Sequence, residues 1–260
     1  MEAQPELTQV RARPEPAVPP ASPYGDVARL LVVRDDRLGD GVLSLPAIAR
    51  LRRAYPNAEL GLLVQPSLAS LASMFRPVDR VLETGDDLAA TIRAFGPDAA
   101  VCVSRRPGAA LALRRAGVHR VAGTGRRWFS FVFDRRVVAS RRRATRHEVE
   151  HALDLAACAG ASTGGIEFPI AVPDPARARV RRWLDAHGAG PRPLVLHPGT
   201  AGSCPGWPPE RGQQLAERLR AAGRPVVVTQ GPADGEAMRA FATTDLPVFH
   251  HELPELAALL

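Results

Sequence analysis

From Arg29 onward, short apolar runs alternate with amphipathic stretches. Leu30-Leu31-Val32-Val33 is apolar at every position, as expected of a strand covered on both faces, and Arg29–Arg34 is read as that strand. A polar turn follows with one acid between two glycines, Gly39-Asp40-Gly41, and a helix is expected over Gly41–Tyr55, stopped by Pro56-Asn57. Pro46 falls in its first turns, where a missing N–H costs least. The next expected elements are a strand at Glu59–Val64, a short helix at Ser67–Phe75 and a strand at Arg80–Leu82. A helix at Asp86–Phe95, a strand at Ala99–Val103 and a helix at Ala109–Ala116 closed by Gly117 come after them. Trp128–Phe133 and Arg135–Ala139 break the rhythm and are expected as an extra strand or hairpin. Thr145–Gly160 has an apolar stripe at Val149, Leu153, Ala156 and Ala157, and Thr145 with Glu148 predicts a capping box.

Ser162–Pro175, with two Gly and three Pro, reads as a linker, after which a second cycle begins. Helices are expected at Pro175–Gly188, Glu210–Ala222, Ala233–Ala242 and Glu252–Leu260, and strands at Pro193–Leu196, Val226–Thr229 and Pro247–Phe249. The fold class is therefore α/β: two Rossmann-like domains with parallel sheets and helices on both faces. The expected organisation is a disordered Pro-rich tail over 1–26, an N-terminal domain over 27–161, a linker over 162–175 and a partial second domain over 176–260. With about three strands, that second domain is expected to be truncated.

Composition adds the sign of the partner. All 34 basic side chains are arginines. Residues 101–150 carry 13 of them against Asp134, Glu148 and Glu150, a local balance of +10 in a chain of net +7, so the remainder sums to −3. Such a stretch points to an anionic ligand, a membrane surface or nucleic acid. Three widely spaced cysteines without a C-x-x-C pair predict a reducing compartment. Without a signal-like N-terminus or a membrane-length apolar run, a cytoplasmic protein is expected.

A carboxylate at the end of a first parallel strand lies where α/β proteins place ligands, which singles out Asp40, with Gly39 and Gly41 permitting close approach. Four blocks, LVVRDDRLGDGVLSLPAIARLRRAYP, RHEVEHALDLAACAGA, LVLHPGTAGSCPGWPPERGQQLAERLRAAG and VVVTQGPADGEAM, together resemble the heptosyltransferases of glycosyltransferase family 9. The resemblance covers Arg29 to Leu260. It implies a GT-B arrangement in which the first domain binds the acceptor and the second the nucleotide sugar, with inverting, metal-free chemistry in the cleft. It makes Asp40 the general base on the acceptor hydroxyl, a role direct displacement at an anomeric carbon requires. It places His197, Gly199, Thr200, Ser203, Gly231 and Glu236 at the nucleotide sugar. The implied donor is ADP-heptose or another nucleotide sugar, with no cofactor. The implied acceptor is an anionic glycolipid, which suits Arg105, Arg106, Arg126 and Arg127 and a peripheral position on the cytoplasmic face of the inner membrane. The aromatic run at Trp128–Phe133 is then either a packed edge element or a wall facing that acceptor.

The sequence departs from this family at two places. Pro205 stands where relatives carry a Lys that meets the diphosphate, and the chain ends before their D-T-G-x-x-H block. Both favour the alternative of a catalytically inactive remnant that binds an anionic glycan or lipid. A nicotinamide-dependent oxidoreductase is disfavoured, because four residues separate the strand from Gly39 and no acid follows Val64. A nucleic-acid binder would rest on charge alone.

Overall fold

The computed structural model describes residues 23–139, 146–161, 164–200, 204–242, 244–250 and 252–260. The chain divides into two compact units, the first ending at Ala171 and the second beginning at Val172. In chain order the first contains β1 (Arg29–Val33), α1 (Leu38–Leu43), α2 (Leu45–Ala54), β2 (Glu59–Val64), α3 (Ala69–Ala72) and β3 (Arg80–Glu83). These are followed by α4 (Leu88–Phe95), β4 (Ala99–Cys102), α5 (Pro107–Arg115), β5 (Val121–Thr124), β6 (Arg135–Val137) and α6 (Glu148–Cys158). The sheet order is β3-β2-β1-β4-β5-β6, with every pairing parallel. Leu30 through Val33 are fully buried at its centre, as their unbroken apolar run requires. Building leftward from β1 to β3 and then restarting at β4 puts a topological switch point between β1 and β4.

Several local expectations change. The helix expected from Gly41 starts at Leu38 and is broken into α1 and α2 at Ser44. Pro46 has no N–H to continue the ladder onto Val42 O; just before it, Ser44 N–H closes a tighter turn onto Gly41 O (3.2 Å) and its hydroxyl donates to Asp40 O (2.9 Å). Asp40 thus sits in the first turn of a short helix, not in an open turn. The strand β5 had no sequence signal beyond Val121-Ala122, and Trp128–Val132 is a 3-10 turn, so β6 pairs parallel to β5 and makes no hairpin. α6 begins at Glu148: His147 N–H donates to Glu150 Oε2 (2.8 Å) and Val149 N–H to His147 Nδ1 (3.2 Å). The expected cap residue Thr145 lies outside the described residues.

Residues 1–22 of the expected tail also lie outside them, whereas Tyr24 is buried and accepts Arg120 Nη1–H at its carbonyl (3.0 Å). Within the stretch read as linker, Pro169 O accepts Arg76 N–H and Ala171 N–H donates to Met74 O, tying it to the first unit.

The second unit contains α7 (Asp174–Ala186), β7 (Leu194–Leu196), α8 (Pro209–Ala221), β8 (Val226–Thr229), β9 (Val248–Phe249) and α9 (Leu253–Leu259). Its sheet is parallel, in the order β7-β8-β9. Alternation along β8 serves both faces: Val226 and Val228 pack with Ala216 of α8 and Phe241, while Val227 packs with Val180 and Leu184 of α7 and with α9. Arg179 of α7 pairs with the buried Glu255 of α9. The helix expected over Ala233–Ala242 is instead a series of turns ending in a 3-10 turn at Arg239–Phe241. Among the described residues no helix is long and apolar enough to cross a membrane.

Candidate active site

The chain leaving β1 turns at the switch point with a dense set of charges. Arg34, the first residue past the strand, is 1% exposed. Its Nη2 lies 3.0 Å from Asp40 Oδ1 and 3.7 Å from Glu148 Oε1, and its Nη1 lies 3.3 Å from Asp36 Oδ2. It also donates from Nε to Asp40 O (3.2 Å) and from Nη1 to Val103 O (3.1 Å). A guanidinium can fill such a site because its donors fan out in a plane toward several acceptors at once. Glu148 reaches it because α6 packs along α2 with its N-terminus at the carboxyl end of the sheet.

From the β4 side, Arg106 Nε approaches Asp36 Oδ1 at 3.9 Å, and its backbone N–H donates to the buried Ser104 hydroxyl (3.1 Å). Burial pushes the Asp36 carboxyl above the usual carboxylate range, against the pull of Arg34; Asp35 and Asp40 push it up further. The neighbouring Cys102 thiol is also driven up by burial and by Asp35 and Asp36, which leaves it inert as a nucleophile. Asp40 differs from Asp36 in being partly open to solvent: its side chain is 29% exposed, with Oδ1 held by Arg34.

In the second unit a comparable arrangement follows β7 and β8. His197 leaves β7 with Nδ1 3.0 Å from Thr229 Oγ1 and Nε2 3.6 Å from Asp234 Oδ2, and the Thr229 hydroxyl lies 3.3 Å from Leu196 O. Buried Asp234 accepts Gly231 N–H at 2.7 Å. Its carboxylate packs against Gly199 so closely that a Cβ on that residue would lie 1.8 Å from Asp234 Oδ1. Only glycine fits there. Beside this turn, Leu196, His197, Thr200, Trp207, Leu215 and Phe241 help line a largely apolar pocket of about 220 Å³.

Asp40, Gly39 and Gly41 therefore share the switch point with Arg106, while Arg105 lies exposed beside it after β4. Gly41 is buried, with Leu68 3.7 Å from where a Cβ would stand; Gly39 faces open space. Arg126 and Arg127 are exposed after β5, and neither joins the Arg34 cluster. His197, Gly199, Thr200 and Gly231 lie together in the second unit, and Ser203 lies outside the described residues. Glu236 stands apart, mostly exposed and paired with Arg239 at 3.3 Å.

Sequence reasoning passed over Arg34, Glu148, Thr229 and Asp234. Two of these left a trace: Arg34 is a charge directly abutting an apolar strand, and Asp234 follows Gly231-Pro232 at the spacing of a side chain that closes a turn. Among the described residues no group of three or more His, Cys, Asp or Glu side chains could hold a metal ion.

No family model matches the sequence, and no curated protein matches it either. Solved structures do. The crystal structure of a glycosyl transferase family 9 protein from Veillonella parvula superposes with a TM-score of 0.76 at 19% identity, over 92% of this chain and 74% of that one. The chain has the fold of the family 9 glycosyltransferases. The E. coli ADP-heptose lipopolysaccharide heptosyltransferase II gives a TM-score of 0.73 at 20% identity, over 89% of this chain and 76% of that one. An E. coli heptosyltransferase solved with ADP-2-deoxy-2-fluoro heptose gives 0.67 at 20% identity, over 89% and 79%. The two units with parallel sheets are thus those of a GT-B-type fold.

Proposed function

We propose that the chain is an inverting, metal-independent glycosyltransferase with no cofactor. In this reading it moves a heptose or similar sugar from a nucleotide diphosphate, ADP-heptose being the first choice, to an anionic acceptor of the lipopolysaccharide-core type. The observation that carries this is Asp40, a partly open carboxylate oriented by buried Arg34 at the switch point of a family 9 fold. With Oδ1 held by Arg34, Oδ2 is left for the acceptor hydroxyl. The acceptor O–H proton passes to Oδ2, the acceptor oxygen bonds to the anomeric carbon, and the bond from that carbon to the diphosphate oxygen breaks with its electron pair on the diphosphate. His197, Thr200 and the backbone N–H groups of the turn after β7 are the donors proposed to balance the charge that leaves. The apolar pocket with the Trp207 indole suits the planar base of the nucleotide. Arg105 and Arg106 supply positive charge for an acidic acceptor. A cytoplasmic enzyme working at the inner face of the membrane fits such an acceptor.

One observation supports a second reading, a binder of anionic glycans without turnover: Pro205 is exposed and brings neither charge nor N–H to the position the resemblance gives to Lys. Release of ADP from ADP-heptose, with and without a heptose-deficient lipopolysaccharide core, separates the two. The transferase reading expects ADP to accumulate only when both substrates are present. Acceptor binding without any ADP release would favour the binder.

A further inference from the structure

The segment after β5 carries two aromatic faces. Residues i and i+3 eclipse in a 3-10 turn, so Trp128 and Phe131 share one side and Phe129 and Val132 the other. Phe129 and Val132 are buried, and Phe129 meets the buried Phe133 edge-on at 6.2 Å. Trp128 and Phe131 are 70% and 66% exposed, and Val138, just past β6, is 71% exposed. The turn is held rigidly. Ser130 Oγ accepts Arg127 N–H (3.0 Å) and donates to Thr124 O (2.5 Å), and the Phe133 ring occupies the space a Cβ on Gly123 would need (2.5 Å). Gly125 N–H donates to Val137 O (2.8 Å), which brings Val138 and Arg136 beside the loop that carries Arg126 and Arg127. Core packing does not explain three large apolar side chains standing this far out.

We propose that Trp128, Phe131 and Val138, ringed by Arg126, Arg127 and Arg136, seat the first unit on an anionic lipid bilayer. The charge decides for lipid. Within residues 121–139 the sole acid is Asp134, and its Oδ1 is taken by Val121 N–H (2.6 Å) and the Tyr24 hydroxyl (3.3 Å) at the opposite strand ends. Arg126 and Arg127 pair with no acid among the described residues, so the rim is purely cationic. Protruding indole and phenyl groups inside a ring of guanidinium groups match the headgroup–acyl boundary of an anionic leaflet. Position gives the surface a use. Trp128 follows the carboxyl end of β5 and Val138 that of β6, with Phe131 on the crossover between them. These two ends lie on the edge of the sheet that also holds Asp40, roughly two to three strand spacings away at about 4.8 Å each. A chain seated there would meet a lipid-anchored acceptor at that edge.

The last step rests on the transferase reading, and the docking itself does not. The test is therefore co-sedimentation with vesicles that contain neither donor nor acceptor, made of phosphatidylcholine alone or mixed in equal parts with phosphatidylglycerol. The full chain is expected to bind the mixed vesicles and not the neutral ones, less tightly as salt is raised. Trp128→Ser/Phe131→Ser is expected to weaken binding about tenfold or more, with far-UV circular dichroism unchanged because both side chains lie outside the core. Arg126→Gln/Arg127→Gln is expected to weaken it and to flatten its salt dependence. Equal binding by the aromatic variant and the wild type would overturn the proposal. So would a wild type that ignores the anionic lipid, or self-association in free solution that the aromatic variant abolishes.

Discussion

Replacing Arg34 with Met removes a buried guanidinium and keeps most of its stem. It leaves Asp36, Asp40 and Glu148 converging on a site with no cation, and Val103 O without its donor. Removing one partner of a buried ion pair costs about 3–5 kcal/mol, since the remaining charge stays desolvated. Here the carboxylate side chains are 12% to 29% exposed and can partly rehydrate, so a smaller cost, about 2–3 kcal/mol, is expected. For a unit of this size each kcal/mol moves Tm by about 2–4 °C, a drop of roughly 4–12 °C. Arg34→Lys keeps a charge but cannot fan out to several acceptors, and should fall between the two. Thermal unfolding followed by circular dichroism reads the loss, and the double variant Arg34→Met/Asp40→Asn should lose less than the sum of the singles because the two side chains touch. An Arg34→Met protein that melts with the wild type, or strictly additive losses, would refute the view that Arg34 organises this site.

Two further perturbations probe other parts of the account. Gly199→Ala puts a Cβ where Asp234 Oδ1 stands, so the carboxylate must leave Gly231 N–H. A cost of about 1–3 kcal/mol is expected, together with weaker ADP binding by calorimetry, and unchanged ADP affinity would count against a donor site at this turn. The raised Asp36 carboxyl has a definite pH signature. The native chain holds this proton more tightly than the unfolded one, so this group's contribution to stability falls as pH rises from the ordinary value of 3.8 through the higher folded value. Urea midpoints measured across that range should show a fall that Asp36→Asn lacks.

The frame of the first unit was readable because its signals are local and redundant. Apolar runs at β1, β2 and β4 are too uniform for anything but strands buried on both faces, and Gly96 and Gly117, both at positive φ, close α4 and α5. What the sequence hid depends on tertiary contact. β5 is four residues long with a glycine, and it exists because the Phe133 ring fills the space that glycine leaves. WFSFVF carries the β propensity of a strand, yet its three-residue alternation of buried and exposed rings is satisfied by a 3-10 turn. At the candidate site, Asp40 was singled out by its place after the first strand. Arg34 was not, since one charged residue past a strand reads as solvated until Glu148, more than a hundred positions later, is seen to face it. Likewise Glu236 drew attention for its position in a block, whereas Asp234, two residues earlier, is the one that turns inward.

The proposed transfer of the acceptor proton to Asp40 is tested most directly by ADP release from Asp40→Asn under conditions where the wild type turns over. The amide keeps size and hydrogen bonding but cannot act as a base. The turnover rate should fall by about 10²- to 10⁴-fold, with ADP affinity unchanged. Turnover by Asp40→Asn at the wild-type rate would contradict the account.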